Sequence, residues 1–171
     1  LVDDCGNAAA DQVQTITVED NIAPTFTVPA DITIYSDASC AYDASVGVTG
    51  DVTDEADNCS VGLNATYVDA VDNTDPCNII ITRTWSLVDD CGNAAADQVQ
   101  TITVEDNIAP TFTIPADITI YSDASCAYDA SVGVTGDVTD EADNCSVGLN
   151  ATYVDAVDNT DPCNIIITRT W

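Results

Sequence analysis

The side chains of this 171-residue chain that could do chemistry are those of eight cysteines and thirty Asp and Glu residues. The sequence contains no His and no Lys, which removes the usual general base, the imidazole metal ligand and the Schiff-base amine. Cysteines without histidines favour disulfides over a zinc site, and disulfides persist in oxidising compartments. We therefore expect an extracellular protein.

Composition excludes several classes of function. A formal net charge of −28 leaves no basic surface for a phosphate backbone, so nucleic acid is not an expected partner. No apolar run approaches the roughly 20 residues that span a bilayer, so no membrane insertion is expected in this segment. Glycosidase chemistry by paired carboxylates needs aromatic rings that stack on sugar, and aromatic residues make up only 6% of the chain. We predict that the protein is not an enzyme.

The carboxylates fall into short clusters with neighbouring amide side chains, which suit a metal ion. Ca²⁺ takes six to eight oxygen ligands from carboxylates, amides and carbonyls. The alternative is a solvated acidic surface that keeps a secreted polymer soluble. The predicted calcium ligands are Glu19, Asp20, Asp54, Asp57, Asn58, Asp89, Asp90, Glu105, Asp106, Asp140, Asp143 and Asn144.

The sequence repeats itself almost perfectly. Leu1–Trp85 and Leu87–Trp171 differ at one position, where Ile114 replaces Val28. A period of 86 residues is the length of a domain rather than of a short solenoid repeat. Near-identity suits a polymer of equivalent modules better than an enzyme, whose duplicated domains tend to specialise.

The best domain boundary is the N-I-A-P sequence at positions 21–24, where a strand stops and a proline opens the next unit. We predict that Ile22–Asn107, the central repeat, is one complete domain. Leu1–Asn21, the N-terminal segment, is then the last strand of a preceding domain, and Ile108–Trp171, the C-terminal repeat, is most of a following one. The acidic clusters of adjacent domains would meet at each joint between domains.

Strand patterns dominate each repeat, with at most one helical turn at Asp54–Asp57. Their number and spacing predict an all-β fold of tandem immunoglobulin-like antiparallel β-sandwiches. Ile79, Ile81 and Trp85 share one face of a strand, and Arg83 on that face either stacks on Trp85 or neutralises a carboxylate. The predicted strands are Thr25–Val28, Ile32–Tyr35, Ala44–Thr49, Leu63–Ala70, Asn78–Val88 and Gln98–Glu105, the last with Ile102 and Val104 inward.

This strand order suggests which cysteines meet. Loops at the same end of a sandwich would pair Cys40 with Cys77 and Cys59 with Cys91, and Cys126 with Cys163 in the C-terminal repeat. Cys5 and Cys145 then have no partner within the chain, although each would be paired in an uninterrupted array. Alternatively, separate chains share a strand, with Leu1–Asn21 completing a neighbour's open sandwich and a Cys5–Cys145 bridge joining the two chains.

Several motifs resemble a known family. The chain contains V-E-D-N followed by I-A-P-T-F, then D-N-C-S, and then I-T-R-T-W-S-L-V-D-D-C-G-N. These motifs are similar to hyalin-repeat (HYR-like) modules. Such modules recur in giant surface proteins of Bacteroidota, including SprB-like gliding adhesins. The resemblance covers the whole repeat and implies an immunoglobulin-like sandwich, tandem arrays and cell-surface adhesion, filament formation or gliding motility. V-E-D-N-I-A-P also resembles, in shorter form, the calcium-binding linker of cadherins.

Together these features predict a structural and adhesive array that forms an extracellular, cell-surface fibre or stalk, stiffened by disulfides and by calcium at the joints. Its expected partners are neighbouring repeats and a surface glycan or cell target. Two alternatives stay open: a glycan-binding module repeated in a secreted protein, and a filament that short chains build by sharing strands.

Overall fold

A computed structural model describes all 171 residues, and strands account for most of the regular structure. The β-rich character of the fold is thus confirmed, and the tandem immunoglobulin-like arrangement stays a prediction. The elements are β1 (Ile32–Tyr35), α1 (Val46–Thr49), β2 (Thr66–Asp72), β3 (Asn78–Ser86), β4 (Gln98–Glu105), α2 (Val132–Thr135), β5 (Val154–Asp158) and β6 (Ile166–Thr170).

The strands form a four-stranded sheet in the order β1-β4-β3-β2 and a two-stranded sheet of β5 and β6. β5 and β6 pair antiparallel, whereas β1 and β4 pair in parallel, with Ile32 opposite Ile102 and Tyr35 opposite Glu105. The expectation of an entirely antiparallel fold is therefore wrong for the β1–β4 pair. Parallel neighbours need a long crossover, which the chain between Tyr35 and Gln98 supplies.

The predicted strand at Ala44–Thr49 is instead a helical turn, α1. The Asp43 carboxylate accepts a hydrogen bond from the Ser45 N–H at 2.9 Å. The Ser45 carbonyl then accepts from the N–H groups of Val48 and Thr49 at 2.9 and 3.0 Å. The alternating valines suggested a strand, but this Asp-Ser turn directs the backbone into a helical turn.

The predicted helical turn at Asp54–Asp57 is also wrong. Ala56 forms a two-way backbone bridge with Thr25, with N···O distances of 2.8 and 2.9 Å. Asp54 Oδ1 meanwhile accepts a hydrogen bond from the Thr27 N–H at 2.9 Å. These bonds hold residues 25–27 in extended form against residues 54–56. The predicted strand at Thr25–Val28 therefore survives only as an isolated bridge.

The residue contacts divide the chain into two compact units, each assembled from separate stretches. Unit 1 consists of Leu1–Pro29, Asp51–Val68 and Thr84–Gln100, and unit 2 of Ala30–Gly50, Asp69–Arg83 and Thr101–Trp171. The predicted domain boundaries at residues 21–22 and 107–108 stay predictions.

Each unit buries apolar side chains that the strand patterns placed inward. In unit 2, Ile34, Ile81, Ile102 and Val104 form one cluster, all at most 8% exposed. In unit 1, Trp85 is fully buried, and its ring lies 4.9 Å from that of Tyr67, centroid to centroid. The inward positions of Ile81, Trp85, Ile102 and Val104 are thus confirmed, because strand alternation fixes the buried face.

Arg83 neutralises a carboxylate, which was one of the two roles left open for it. Its guanidinium, 1% exposed, donates to both oxygens of Asp69 at 2.8 Å. It also donates to Thr49 Oγ1 at 2.7 Å and to the Ala44 carbonyl at 2.6 Å. The buried charge is therefore bound by Asp69 of β2, by Thr49 of α1 and by the Ala44 carbonyl just before α1.

Arg169 makes the equivalent contacts with Asp155, Thr135 and Ala130. Its guanidinium carbon also lies 4.0 Å from the ring centroid of Tyr153. This arginine both pairs with a carboxylate and covers an aromatic ring. Its side chain is 13% exposed.

Replacing Arg83 with Met should lower the free energy of unfolding by about 3 kcal/mol, because Asp69 and the Ala44 carbonyl lose their buried partner. Urea unfolding followed by tryptophan fluorescence measures the loss. Arg169→Met is the matched control, and it should cost less because Arg169, 13% exposed against 1% for Arg83, already lies closer to water. Equal losses for the two variants would contradict a role for burial.

Candidate metal centre and disulfide joint

The loop that contains Asp89 takes its shape from its own sequence. Asp89 Oδ1 accepts hydrogen bonds from the N–H groups of Cys91 at 2.9 Å and Asn93 at 2.7 Å, and Oδ2 accepts from Asn93 Nδ2 at 2.8 Å. Asp3, 86 residues earlier, makes the same set of bonds although it is exposed. Gly92 permits the turn with φ of 91°, which costs glycine little. The loop thus presents Asp89 at a fixed place.

Asp57 lies in a second local turn. Its Oδ2 accepts from the N–H groups of Cys59 at 2.9 Å and Ser60 at 2.8 Å. Ser60 is buried, and its Oγ accepts from the Asp90 N–H at 3.1 Å. This last bond ties the Asp57 turn to the loop that carries Asp89.

Asp20 joins these two carboxylates in a cluster that we call the acidic triad: Asp20, Asp57 and Asp89. One oxygen from each lies within 4.8 Å of the others. Asn58 Nδ2 donates to Asp20 Oδ1 at 3.1 Å, and Asn93 Nδ2 donates to the Asp20 carbonyl at 3.3 Å. Asp20 Oδ2 and Asp57 Oδ1 are buried and accept no hydrogen bond. The triad therefore offers unsatisfied hard oxygens, the donor set that Ca²⁺ takes.

Asp57 and Asp89, whose pKa values are lowered, stay ionised. Hydrogen bonds from the N–H groups of Cys59 and Ser60 lower the pKa of Asp57, although the nearby charge of Asp89 opposes this. Burial raises the pKa of Asp89, but its bonds from Asn93 and Cys91 outweigh burial and bring it below its ordinary value. Carboxylates held ionised so close together repel one another unless a cation lies between them.

Cys59 and Cys91 border the triad as thiols rather than thiolates. Burial first, and then the charges of Asp20 and Asp57, raise the pKa of Cys59. Burial and the charge of Asp89 raise the pKa of Cys91, and the nearby Cys59 raises it further. A thiol of raised pKa is a poor nucleophile and a poor metal ligand at neutral pH, so the oxygens define the site.

The contact between Asn58 and Asp20 recurs 86 residues later between Asn144 and Asp106, where more residues take part. We call each of these contact regions a joint. Asn144 Nδ2 donates to Asp106 Oδ1 at 3.0 Å, as Asn58 does to Asp20, and it also donates to the Asp37 carbonyl at 3.0 Å. Ser36 Oγ donates to the same Asp106 oxygen at 3.4 Å and lies 3.5 Å from Cys145 Sγ. Ser36 and Asp37, in the loop after β1, therefore belong to the joint.

A disulfide between Cys40 and Cys145 closes this joint, and the residues it links are 105 positions apart. The predicted Cys40–Cys77 and Cys5–Cys145 pairs are therefore wrong. Because β1 and β4 are parallel, both end at the same sheet edge, and the Ser36 N–H bonds to the Glu105 carbonyl at 3.0 Å. The loop after β1 consequently meets the start of the next repeat rather than another loop of its own.

The other predicted pairs are not formed either. The remaining cysteines, all of them free and exposed, are Cys5, Cys59, Cys77, Cys91, Cys126 and Cys163. The predicted pairs Cys59–Cys91 and Cys126–Cys163 assumed that each repeat closes its own disulfides. The bridge that forms joins a position of one repeat to a position of the next.

Some predicted ligands take other roles. Asp54 and Asp140 accept from the N–H groups of Thr27 and Thr113, both at 2.9 Å, and Asp143 holds the Cys145 turn through its Oδ2 at 3.0 Å. Glu19, Asp90 and Glu105 are exposed and stand outside the triad. Sequence reasoning missed Ser36 as a joint residue. Asn93 belongs to the D-D-C-G-N cluster that was predicted to lie at the joint, although it was not among the predicted ligands.

Comparisons with protein-family models, curated proteins and solved structures find no match for this chain. None of its helices has the length and apolar character needed to cross a membrane. The geometry of the joints is therefore the main evidence on function.

Protonating the turn carboxylates should destabilise the fold at low pH. Hydrogen bonds from Ser39 and Ala41 lower the pKa of Asp37, and bonds from Thr74 lower that of Asp72. A carboxylate whose pKa is lowered by folding stabilises the fold at pH values above its ordinary pKa of about 3.9. That stability is lost as the pH falls through the lowered pKa of the folded state. In 1 M NaCl, where charge repulsion is screened over about 3 Å, the melting temperature should be flat from pH 7 to 5 and fall below pH 4.

The matched variant is Asp37→Asn combined with Asp72→Asn, which keeps an oxygen acceptor in both turns and removes the titrating groups. Its melting temperature should fall less steeply below pH 4 than that of the unchanged protein. A melting temperature that rises on acidification in 1 M NaCl would show that repulsion, not turn bonding, controls acid stability.

Proposed function

We propose that the protein is a structural array of immunoglobulin-like repeats that forms an extracellular fibre or stalk and projects an adhesive end from a cell surface. The observation that carries this proposal is the Cys40–Cys145 disulfide, which joins successive repeats covalently. A link between repeats transmits tension along an array, whereas a link within one repeat stabilises only that repeat. The extracellular setting follows from the oxidising compartment that such a bond requires.

The chemistry of the carboxylates favours structure over catalysis. Every Asp whose pKa is displaced is displaced downward, by side-chain hydrogen bonds and by backbone N–H donors in tight turns. A glycosidase acid needs the opposite, a carboxyl held protonated by a raised pKa. Both arginines are also engaged inside the repeats, where they pair with Asp69 and Asp155.

A divalent cation, Ca²⁺ in an oxidising extracellular medium, is proposed to stiffen each joint. The support is the acidic triad, in which buried oxygens of Asp20 and Asp57 have no hydrogen-bond donor. Asp20 lies just before the boundary at residues 21–22, while Asp57 and Asp89 lie in the loops of the central repeat. A cation held by these three would fix the segment before the boundary to the repeat after it.

Two of the three triad ligands recur at the next joint. Asp106 and Asp143 repeat Asp20 and Asp57, and the buried Asn144 Oδ1 there also accepts no hydrogen bond. The triad lies at the first joint and the disulfide at the second, and an array of equivalent repeats would place both at every joint. The resemblance to hyalin-repeat modules agrees with a role in surface adhesion or gliding.

Calcium at 1 mM should raise the melting temperature by about 5 °C over the value in EDTA, the effect of a ligand well above its dissociation constant. Asp57→Asn should abolish the increase, because it removes a charge from the triad while its amide oxygen still accepts the turn hydrogen bonds. Differential scanning calorimetry measures both proteins with and without calcium.

Asp72→Asn is the matched control, since Asp72 holds a similar turn through Thr74 but is not part of the triad. It should leave the calcium-dependent increase intact. The cation proposal fails if calcium stabilises Asp57→Asn as much as the unchanged protein, or stabilises neither.

A further inference from the structure

The disulfide between Cys40 and Cys145 encloses most of the regular structure of the chain. The two cysteines are 105 positions apart, and residues 41–144 between them contain α1, β2, β3, β4 and α2. β1 lies before this enclosed segment, and β5 and β6 lie after it. When the two sides of the chain are pulled apart, tension passes from Cys40 to Cys145 through the S–S bond. The backbone of the enclosed segment then carries no load.

The enclosed segment has packing of its own. The buried Arg83 guanidinium binds Asp69 of β2 and Thr49 of α1, and all three residues lie between the two cysteines. The rings of Tyr67 and Trp85, with centroids 4.9 Å apart, also lie there. Both sets of contacts are made within the segment. They give it the means to stay folded when the flanking chain is pulled away.

β1 attaches the preceding part of the chain to this segment. It pairs with β4 in parallel from Ile32 to Tyr35, and Ile34 is 8% exposed. β1 is also the last strand before Cys40. Tension that detaches β1 therefore reaches the disulfide next. It stops there, because a covalent bond holds at forces that separate hydrogen-bonded strands.

The loop after β1 also has non-covalent contacts with the next repeat. Asn144 Nδ2 donates to the Asp37 carbonyl at 3.0 Å, and Ser36 Oγ lies 3.5 Å from Cys145 Sγ. These bonds are exposed or part-buried, and such bonds add little in competition with water. The disulfide is therefore the contact that holds the loop under tension.

The disulfide is open to a reductant, and the loop that carries it does not depend on it. Cys40 is exposed and has φ of 60°, and Asp37 Oδ1 accepts from two backbone N–H groups of the loop at 2.8 and 3.0 Å. The loop of Cys126, a free thiol, has the same φ and the same two bonds, made by Asp123. Local hydrogen bonds therefore set the shape of the loop. Reduction should leave it unchanged, so the bond can form again.

We infer that the Cys40–Cys145 disulfide is a redox-sensitive stop on the extension of the chain. When the bond is oxidised, tension extends residues 1–40 and 145–171 to at most about 230 Å, and residues 41–144 stay folded. When the bond is reduced, tension reaches the enclosed segment, and the whole chain extends to at most about 600 Å. The inference rests on the proposed function, because only a chain that carries tension uses such a stop.

Reduction proceeds by thiol–disulfide exchange with a dithiol such as dithiothreitol. One thiolate of the dithiol attacks the exposed Cys40 sulfur, forms a mixed disulfide and releases Cys145 as a thiolate, which takes up a proton. The second thiolate of the dithiol then attacks the dithiol sulfur of the mixed disulfide, releases Cys40 and closes a cyclic disulfide. The two protein sulfurs gain two electrons and two protons, which the dithiol loses.

The test holds single chains at constant force in magnetic tweezers, through tags fused to both ends. The six free cysteines are replaced by Ser, so that only Cys40 and Cys145 can form a bridge. Mass spectrometry of the linked peptide confirms that the bridge is present. Each chain is first extended without a reductant, and dithiothreitol is then added in EDTA at the same force.

The length released on reduction shows whether the enclosed segment was folded. We expect two stages. Cleavage should add little length, and a separate unfolding step of up to about 360 Å should follow after a waiting time that is independent of the dithiothreitol concentration. If the segment had already unfolded behind the disulfide, cleavage would release its whole length at once. That outcome would overturn the inference.

Arg83→Met tests whether the contacts inside the enclosed segment keep it folded. It should shorten the waiting time after cleavage at least about tenfold, because Asp69 loses its buried partner. Arg169→Met is the matched control, since this residue lies beyond Cys145 in the part of the chain that is already extended. It should leave the waiting time unchanged.

Equal waiting times for the two arginine variants would contradict the inference. Circular dichroism checks that both variants fold. If Arg83→Met does not, the released length of the chain with both arginines decides alone.

The outcome is separable from the proposed function. The measurement runs in EDTA, so it does not depend on a cation at the joints. An immediate release of the whole length from chains whose linked peptide is confirmed would reject the folded, load-free segment. It would leave the covalent joint, and with it the proposed function, standing. Absence of the linked peptide would reject both.

Discussion

The parallel pairing of β1 with β4 is the contact on which the joint depends. Parallel strands end at the same edge of a sheet, so Tyr35 and Glu105 finish side by side and the chain continues from both in the same direction. From Tyr35 it enters the loop with Cys40, and from Glu105 it enters the next repeat. An antiparallel pair would have sent that loop to the opposite edge, where Cys145 could not reach it.

The carboxylates supply the second constraint, because the chain has two arginines and no lysine to balance thirty acids. Both arginines are used inside the repeats, so most of the negative charge meets backbone N–H groups instead. These bonds form tight turns at Asp37, Asp57 and Asp89, and each turn holds a residue of the joint. The acidity therefore shapes the loops, and the buried carboxylate oxygens without a hydrogen-bond donor belong to the triad.

Strand alternation made the core predictable from sequence. Gln98–Glu105 has the bounds that its pattern indicated, and Ile102 and Val104 are inward because period-two burial is a local property. The helical turn at Val46–Thr49 was missed because one hydrogen bond, donated by the Ser45 N–H to the Asp43 carboxylate, outweighs the preference of the valines. The disulfide was missed for a different reason: Cys40 and Cys145 meet through the direction of strand pairing, which neither composition nor spacing encodes. The triad differs, because Asp20, Asp57 and Asp89 were all among the predicted ligands and their clusters were expected to meet.

The near-identity of the repeats follows from the geometry of such a joint. Each repeat presents Ser36, Asp37 and Cys40 forward, and positions equivalent to Asp106, Asn144 and Cys145 backward. A head-to-tail contact of this kind propagates only if every unit carries both complementary sets, so a change in one unit breaks a joint with a neighbour. The one difference between the copies, Val28 against Ile114, adds a methylene group at a position outside these sets. The single change therefore leaves the contacts from one repeat to the next unaltered.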